Sequence, residues 1–475
     1  MRYFSTRGGE FITGSQAILA GLAPDGGLYL PERLPEFCWQ DAVQCPTMEI
    51  AQMILSAFLP ELDHMEKLVD NAYNGKFATD TLTPTVGTGK HHVLELFHGP
   101  TSAFKDVALC MLPQLMMASR QVCGEKEDVL ILTATSGDTG KAALEGFKDV
   151  PGINICVFYP HGGVSDVQRR QMVSQEGNNV RVCAVRGNFD DCQTGVKQIF
   201  SADTGLNLSS ANSINIGRLL PQITYYFAAY RDLLANGTIQ LGDEVNFSVP
   251  TGNFGDILAG YLAKKLGLPV GMLLCASNTN NVLTDFIRTG TYDRRRMLHK
   301  TISPSMDILV SSNLERLLYL VSGDSQLVAN LMHQLSENGH YTVPEDLLQQ
   351  IQAQFWAGYC DDSQASSTIR AVWQEQHYLC DPHTAAGWKV AEDYVNLTND
   401  PRPMVVLSTA SPYKFPAAVL AAIGGDTQGD EFTQMEQLEA LTGVCIPSNL
   451  AGLRSKPERH LDVINKDDMM KYVME

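Results

Sequence analysis

From position 129 onward, short β-branched and apolar runs alternate with segments whose apolar positions recur at helical spacing. The runs 129–133, 154–159 and 180–185 read as strands, and 142–147, 164–175 and 194–200 as the helices between them. Strands separated by helices at this interval predict βαβ units, hence a parallel sheet covered on both faces. The rhythm resumes at 217–234, a long helix with Pro221 in its first turns, where proline is tolerated. A strand at 244–249, a helix at 256–266 and a strand at 271–275 follow. Between 281 and 394 strand signals thin while 313–321 and 325–335 keep helical periodicity, which predicts a helical insertion. A last buried strand is expected at 404–407. The first 90 residues mix short apolar segments with turn signals such as Pro24-Asp25-Gly26-Gly27 and one helical stretch at 48–58. The expected organisation is an accessory lobe at 1–90, a smaller α/β lobe at 91–215 and a larger α/β lobe at 216–475 that carries the insertion.

Composition narrows the function classes. The 475 residues are 44% hydrophobic and 19% charged, an ordinary globular balance. The net charge of −18 leaves no basic face for nucleic acid, so any anionic ligand must meet a local positive field. The 11 cysteines are scattered and include no Cys-x-x-Cys pair, which indicates neither a disulfide framework nor a zinc ribbon. The amino terminus lacks the apolar core of a secretory signal, and no apolar run approaches the roughly 20 residues of a spanning helix. These features predict a soluble cytoplasmic protein with no membrane partner.

Two strand-to-helix turns share one design: Thr133-Ala-Thr-Ser-Gly-Asp-Thr-Gly140 and Pro250-Thr-Gly-Asn-Phe-Gly-Asp256. Glycines let the backbone approach a ligand closely, while free amides and the helix dipole face an anion. Two such cradles imply an anionic cofactor with an anionic substrate, or one ligand with two acidic ends. Neither turn has the Gly-Lys-Ser/Thr of a Walker loop or the Gly-x-Gly-x-x-Gly of dinucleotide folds, which argues against ATP, GTP and NAD. A third feature is Lys105, which lies between Ala103-Phe104 and Val107-Ala108. Desolvation there disfavours the ammonium form and favours a nucleophilic amine. A lysine nucleophile joined to a phosphate cradle is what pyridoxal phosphate (PLP) chemistry needs. The set His91, His92, Glu95 and His98 mimics a metal site, but alternation through 93–98 reads as a strand, and no metal is expected. Arg294-Arg295-Arg296 reads as a solvated or salt-bridged loop.

The segment His98-Gly-Pro-Thr-Ser-Ala-Phe-Lys-Asp106 resembles the cofactor-lysine segment of the threonine synthase family, whose members are fold-type II PLP enzymes. Further resemblance lies in Thr135-Ser-Gly-Asp-Thr-Gly140, Asn212-Ser-Ile-Asn215, Pro250 to Asp256, Ser303-Pro-Ser-Met-Asp-Ile308, Ser311-Ser-Asn-Leu-Glu315 and Asp381-Pro-His-Thr384. Near the amino terminus, Tyr3-Phe-Ser-Thr-Arg-Gly8 and Asp25-Gly-Gly-Leu-Tyr29 also look like that family. The resemblance implies a tryptophan synthase β-like fold of parallel sheets covered by helices.

Carried onto this chain, the resemblance makes Lys105 the Schiff-base lysine and catalytic residue, and Gly252, Asn253, Phe254 and Gly255 the cofactor phosphate loop. Thr409 becomes the hydroxyl facing the pyridine nitrogen. Ser136, Gly137, Asp138, Thr139 and Gly140 become the cradle for the substrate carboxylate. Lys141, Arg218 and Lys414 are the cations nearest the matched motifs and the candidates for the substrate phosphate. Where many relatives have Trp-Ala-Arg, this chain has Ile216-Gly217-Arg218, and His-Pro-Ala-Lys-Phe is replaced by Ser411-Pro412-Tyr413-Lys414-Phe415. The implied reaction is conversion of O-phospho-L-homoserine and water to L-threonine and phosphate by a monomer or homodimer. The rivals are a phospholyase or serine/threonine dehydratase giving a 2-oxo acid, and a silent PLP binder.

Overall fold

The computed structural model describes residues 1–135 and 137–475, and the side chains of all of these but Asp190. Two parallel sheets organise it. One has five strands in the order Asp462–Asn465, Val180–Arg186, Ile153–Pro160, Val129–Ala134 and Leu208–Ser209, every pair parallel. The other has six, in the order Phe355–Tyr359, Val270–Ser277, Val245–Pro250, Met404–Ser408, His92–Glu95 and Thr85–Gly87. Only its last pair is antiparallel. A three-stranded antiparallel sheet, Gly8–Thr13, Arg2–Ser5 and Tyr29–Pro31, opens the chain.

The βαβ pattern follows from burial. Val245–Pro250 and Met404–Ser408 are buried at every position, as strands covered on both faces must be. Helix starts are chemically marked: Ser165 and Asn188 form capping boxes with Gln168 and Asp191. The Lys105–Cys123 helix runs against the Asp138–Phe147 helix, and Gly146 allows the contact, since a Cβ there would lie 2.0 Å from the Leu109 carbonyl oxygen. Tyr73 Oη, from the helix Met65–Tyr73, donates to the Val107 carbonyl at 2.8 Å, tying the amino-terminal region to the lysine helix.

Four expectations are corrected. The helix expected at 217–234 is divided into Ile216–Leu219, a 3-10 turn at Leu220–Gln222 and Ile223–Ala235, because Pro221 lacks the N–H that a continuous helix would use. The region 281–394 holds more than helices: Phe355–Tyr359 is an edge strand of the larger sheet, and Thr291–Asp293 pairs with His340–Thr342. Strand Asp462–Asn465 follows 404–407, but its exposed residues carry no apolar signal. Finally, His92–Glu95, grouped by sequence with 91–215, pairs with Met404–Ser408 and so sits inside the larger sheet, where Val93 and Leu94 are wholly buried.

Candidate active site

Four segments meet where both sheets present the carboxyl ends of their strands: the turn after Val129–Ala134, the turn after Val245–Pro250, Thr409 after Met404–Ser408, and the start of the lysine helix. The lysine segment is pinned to the Thr409 segment. Phe104 N–H donates to the Thr409 carbonyl at 2.8 Å, Ser411 N–H to the Ser102 carbonyl at 3.1 Å, and Ala103 bridges Ala410. From within, Asp106 accepts from Thr101 N–H at 2.8 Å and Thr101 Oγ1 at 2.5 Å, closing the Gly99–Thr101 turn beneath Lys105. A Cβ on Gly99 would lie 2.4 Å from Asp106 Cβ, so that closure requires glycine.

Lys105 is buried, its Nζ 3.8 Å from Asp138 Oδ2 and 4.8 Å from the Phe104 ring centre. Burial lowers its pKa, and the positive charges of Lys414 and Arg218 push the same way. Together they outweigh the pull of Asp138 and Asp256. Asp138 is held well below the usual carboxylate range despite its burial, chiefly by Lys414 and Lys105. Its Oδ1 takes Lys414 Nζ at 2.7 Å and Gln168 Nε2 at 2.8 Å. Asp256, by contrast, lacks such a partner, and burial lifts its carboxyl to about 7.

The two glycine turns differ. After Val245–Pro250, Phe254 takes a left-handed conformation (φ 61°) and turns the chain into the Gly255–Lys265 helix. Among the described residues, none accepts a hydrogen bond from the amides of 252–255. Their carbonyl sides are fixed instead: Ser311 Oγ donates to the Gly252 carbonyl at 2.7 Å, and Asn313 N and Nδ2 donate to that of Asn253 at 3.1 and 3.0 Å. Buried Arg316 in turn donates to Asn313 Oδ1 and, at 3.0 Å, to the Tyr29 carbonyl. After Val129–Ala134, two amides are taken internally, Gly137 and Gly140 both donating to Thr135 Oγ1, at 3.0 and 2.9 Å. Thr139 is half-buried, and Ser136 lies outside the described residues.

The residues present fit a phosphorylated cofactor. Four unengaged amides at a helix N-terminus form an anion nest. A Cβ on Gly255 would meet nothing nearer than Asn313 Nδ2 at 3.5 Å, so glycine leaves a cradle there. Buried Arg218 has an Nε with no hydrogen-bond partner, an orphaned donor beside Lys105.

Comparison with known proteins agrees with this geometry. Residues 80–410 match the family model "Pyridoxal-phosphate dependent enzyme", 2–73 "Threonine synthase N terminus", and 384–473 "Threonine synthase, C-terminal". Threonine synthase of Pseudomonas aeruginosa is 42% identical over 435 residues, covering 88% of this chain and 90% of that protein. The chain belongs to the threonine synthase family. Human threonine synthase-like 1 is 39% identical across 86% of this chain, and the chain spans 58% of that relative's length. A PLP-bound threonine synthase from Brucella melitensis superposes with a TM-score of 0.89 at 40% identity, over 100% of this chain and 99% of that one. The fold is thus the fold-type II PLP enzyme fold of the threonine synthase family.

Of the site residues expected in this family, Lys105, Asp138, Arg218 and Lys414 are brought together, with Thr409 joined to them through the backbone. Lys414 is wholly buried and also donates to the Thr101 carbonyl at 3.0 Å. Lys141 instead pairs with Glu145 at 2.8 Å and donates to Gln175. Arg218 gives one guanidinium hydrogen to the Ala211 carbonyl at 2.8 Å, and burial lowers its pKa to about 10. The histidines near 91–98 take separate partners, His91 edging onto Trp388 and His98 pairing with Glu95 at 2.8 Å. Sequence reasoning overlooked Gln168, Ser311, Asn313 and Arg316. The motifs that contain Ser311 and Asn313 were the available signal.

Proposed function

We propose that the chain is a PLP-dependent carbon–oxygen lyase that converts O-phospho-L-homoserine and water to L-threonine and phosphate, in the cytoplasm. The observation that carries this reading is the convergence of a desolvated lysine with a turn of four open amides, in a chain of this family. All 11 cysteines are free and no helix among the described residues is long and apolar enough to cross a membrane, which supports the compartment.

PLP, when bound, supplies an electron sink that stabilises negative charge on substrate carbon. Gly252, Asn253, Phe254 and Gly255 would hold its phosphate, Lys105 its aldehyde carbon, and Thr409 its ring nitrogen. A neutral hydroxyl at 409 accepts or donates without enforcing ring protonation, as a carboxylate would. Lys105 is the proton carrier: its lowered pKa supplies a neutral amine that takes the α-proton and returns it during the later steps. Phosphate leaves the γ-carbon and water adds at the β-carbon. Ser136 to Gly140 are assigned to the substrate carboxylate, with Arg218, Lys141 and Lys414 as the cations for its phosphate. Arg218 is best prepared, because its Nε still lacks a partner. We assign the three lobes as 1–90, 91–215 and 216–475, with the strand His92–Glu95 lent to the larger sheet.

Lys105→Ala tests the proposal. Loss of both the yellow colour and phosphate release from phosphohomoserine is expected, and a coloured, active variant would refute it. Amino-acid analysis of the wild-type product decides the reaction: 2-oxobutanoate in place of threonine overturns the synthase assignment.

A further inference from the structure

The motif Asp381-Pro-His-Thr384 has no part in the chemistry above, yet Asp381 and His383 are 0% and 2% exposed. Asp381 caps the Pro382–Thr398 helix, its carboxylate accepting from the backbone N–H of His383 and of Thr384, each at 3.0 Å. The same carboxylate lies 2.5 Å from His383 Nδ1. On the far side of the ring, Nε2 is 3.2 Å from the backbone nitrogen of Ser305. A backbone N–H can only donate, so Nε2 presents its lone pair and Nδ1 carries the proton toward Asp381. Ser305 belongs to the 3-10 turn Pro304–Met306, whose carbonyl side presses on the glycine loop. A Cβ on Gly252 would lie 2.5 Å from the Ser305 oxygen. The helix that carries His383 is itself fixed to the strand that feeds the loop, since Ser248 Oγ donates to the Gly387 carbonyl at 2.6 Å.

We propose that His383 is a positioning residue for the cofactor phosphate. By holding the Ser305 amide, it sets the Pro304–Met306 turn against Gly252 and so aims the amides of 252–255. Asp381 keeps the ring in the only tautomer that can do this. The inference rests on the reading that this loop holds the phosphate of PLP.

Two substitutions separate the acceptor from mere packing. His383→Asn retains a donor near Asp381 and removes the acceptor at the Nε2 position, whereas His383→Gln places an amide oxygen near that position. Release of PLP from the loaded protein and the 31P resonance of the bound cofactor are followed for both. H383N is expected to release PLP about ten to a hundred times faster, the range that follows from leaving one buried donor without its acceptor. Its 31P resonance should move, and H383Q should recover most of both properties. Unchanged release from H383N overturns the proposal, as does equal loss from the two variants. Should H383N not fold, amide exchange in the wild-type protein decides: protection of the Ser305 N–H is expected, and exchange at the open-chain rate overturns the proposal. Gly252→Ala distinguishes the two levels of argument. If G252A loses PLP and H383N does not, His383 has no positioning role; if G252A also retains it fully, the loop assignment itself falls.

Discussion

The buried pair Asp138–Lys414 makes a quantitative prediction. Lys414 is wholly buried, its ammonium 2.7 Å from Asp138 Oδ1, and its remaining bond goes to the Thr101 carbonyl. Removing one member of such a pair strands a charge without water and costs about 3–5 kcal/mol. Asp138→Asn and Lys414→Met should therefore each destabilise by about that much. The double variant strands no charge; it leaves the Gln168 amide and the Thr101 carbonyl short of a partner, about 1–3 kcal/mol each. Its cost should fall below the sum of the singles by at least about 2 kcal/mol. The singles should also differ in the cofactor-free protein, where Lys105 Nζ lies 3.8 Å from Asp138 Oδ2. That second pair is worth about 4 kcal/mol at an effective dielectric constant near 20, so K414M leaves Asp138 one cation, whereas D138N deprives two. Urea unfolding of wild type, both singles and the double completes the cycle. Additivity within about 0.5 kcal/mol would show that the two charges do not depend on each other and would refute the reasoning.

Two further outcomes are expected. Asp256 titrates near 7 because it is buried, so its folded pKa lies above its unfolded value near 3.8; its contribution to stability is full below that value and is lost as pH rises through about 7. Wild type should therefore lose up to about 4 kcal/mol relative to Asp256→Asn between pH 4 and 7.5, and parallel urea-midpoint profiles for the two proteins would disprove the effect. Gly146→Ala places a Cβ 2.0 Å from the Leu109 carbonyl oxygen and should lower stability by about 1–3 kcal/mol while displacing the lysine helix, whereas an unchanged thermal midpoint would mean that the helices part freely.

What could be read from sequence was what local chemistry writes locally. The strands Val129–Ala134, Ile153–Pro160 and Val180–Arg186 announce themselves because they are buried apolar runs between capped helices. The strand Phe355–Tyr359 escaped because its pattern is short, includes Gly358, and lies among helices; its identity comes from pairing with Val270–Ser277. Asp462–Asn465 is likewise a strand by virtue of its neighbour, Val180–Arg186, rather than by its own exposed residues. At the site, the glycine turns and Lys105 were legible because backbone freedom and apolar flanks leave a local trace. The choice of Lys414 as the partner of Asp138 leaves none, nor does the reach of Thr135 to Gly137 and Gly140. Such contacts are decided by tertiary distance, and the same residue types would read identically had they faced water.

The difference between the two turns has an electrostatic logic in a chain of net charge −18. Lys414 is neutralised by Asp138, and Lys105 gives up its proton readily, so neither adds much standing positive charge. Arg218 remains, together with the helix N-termini at Asp138 and Gly255, each equivalent to about half a positive charge. Under the proposed assignment the turn after Val245–Pro250 meets a phosphate of nearly two negative charges, and it keeps four amides open. The turn after Val129–Ala134 meets a carboxylate of one, and it closes two amides on Thr135. A cradle built from amides rather than lysines also suits a neighbouring amine that must stay neutral, because each further ammonium nearby would lower the pKa of Lys105 while claiming the anions for itself. The number of open donors at each turn thus follows the charge of the anion assigned to it.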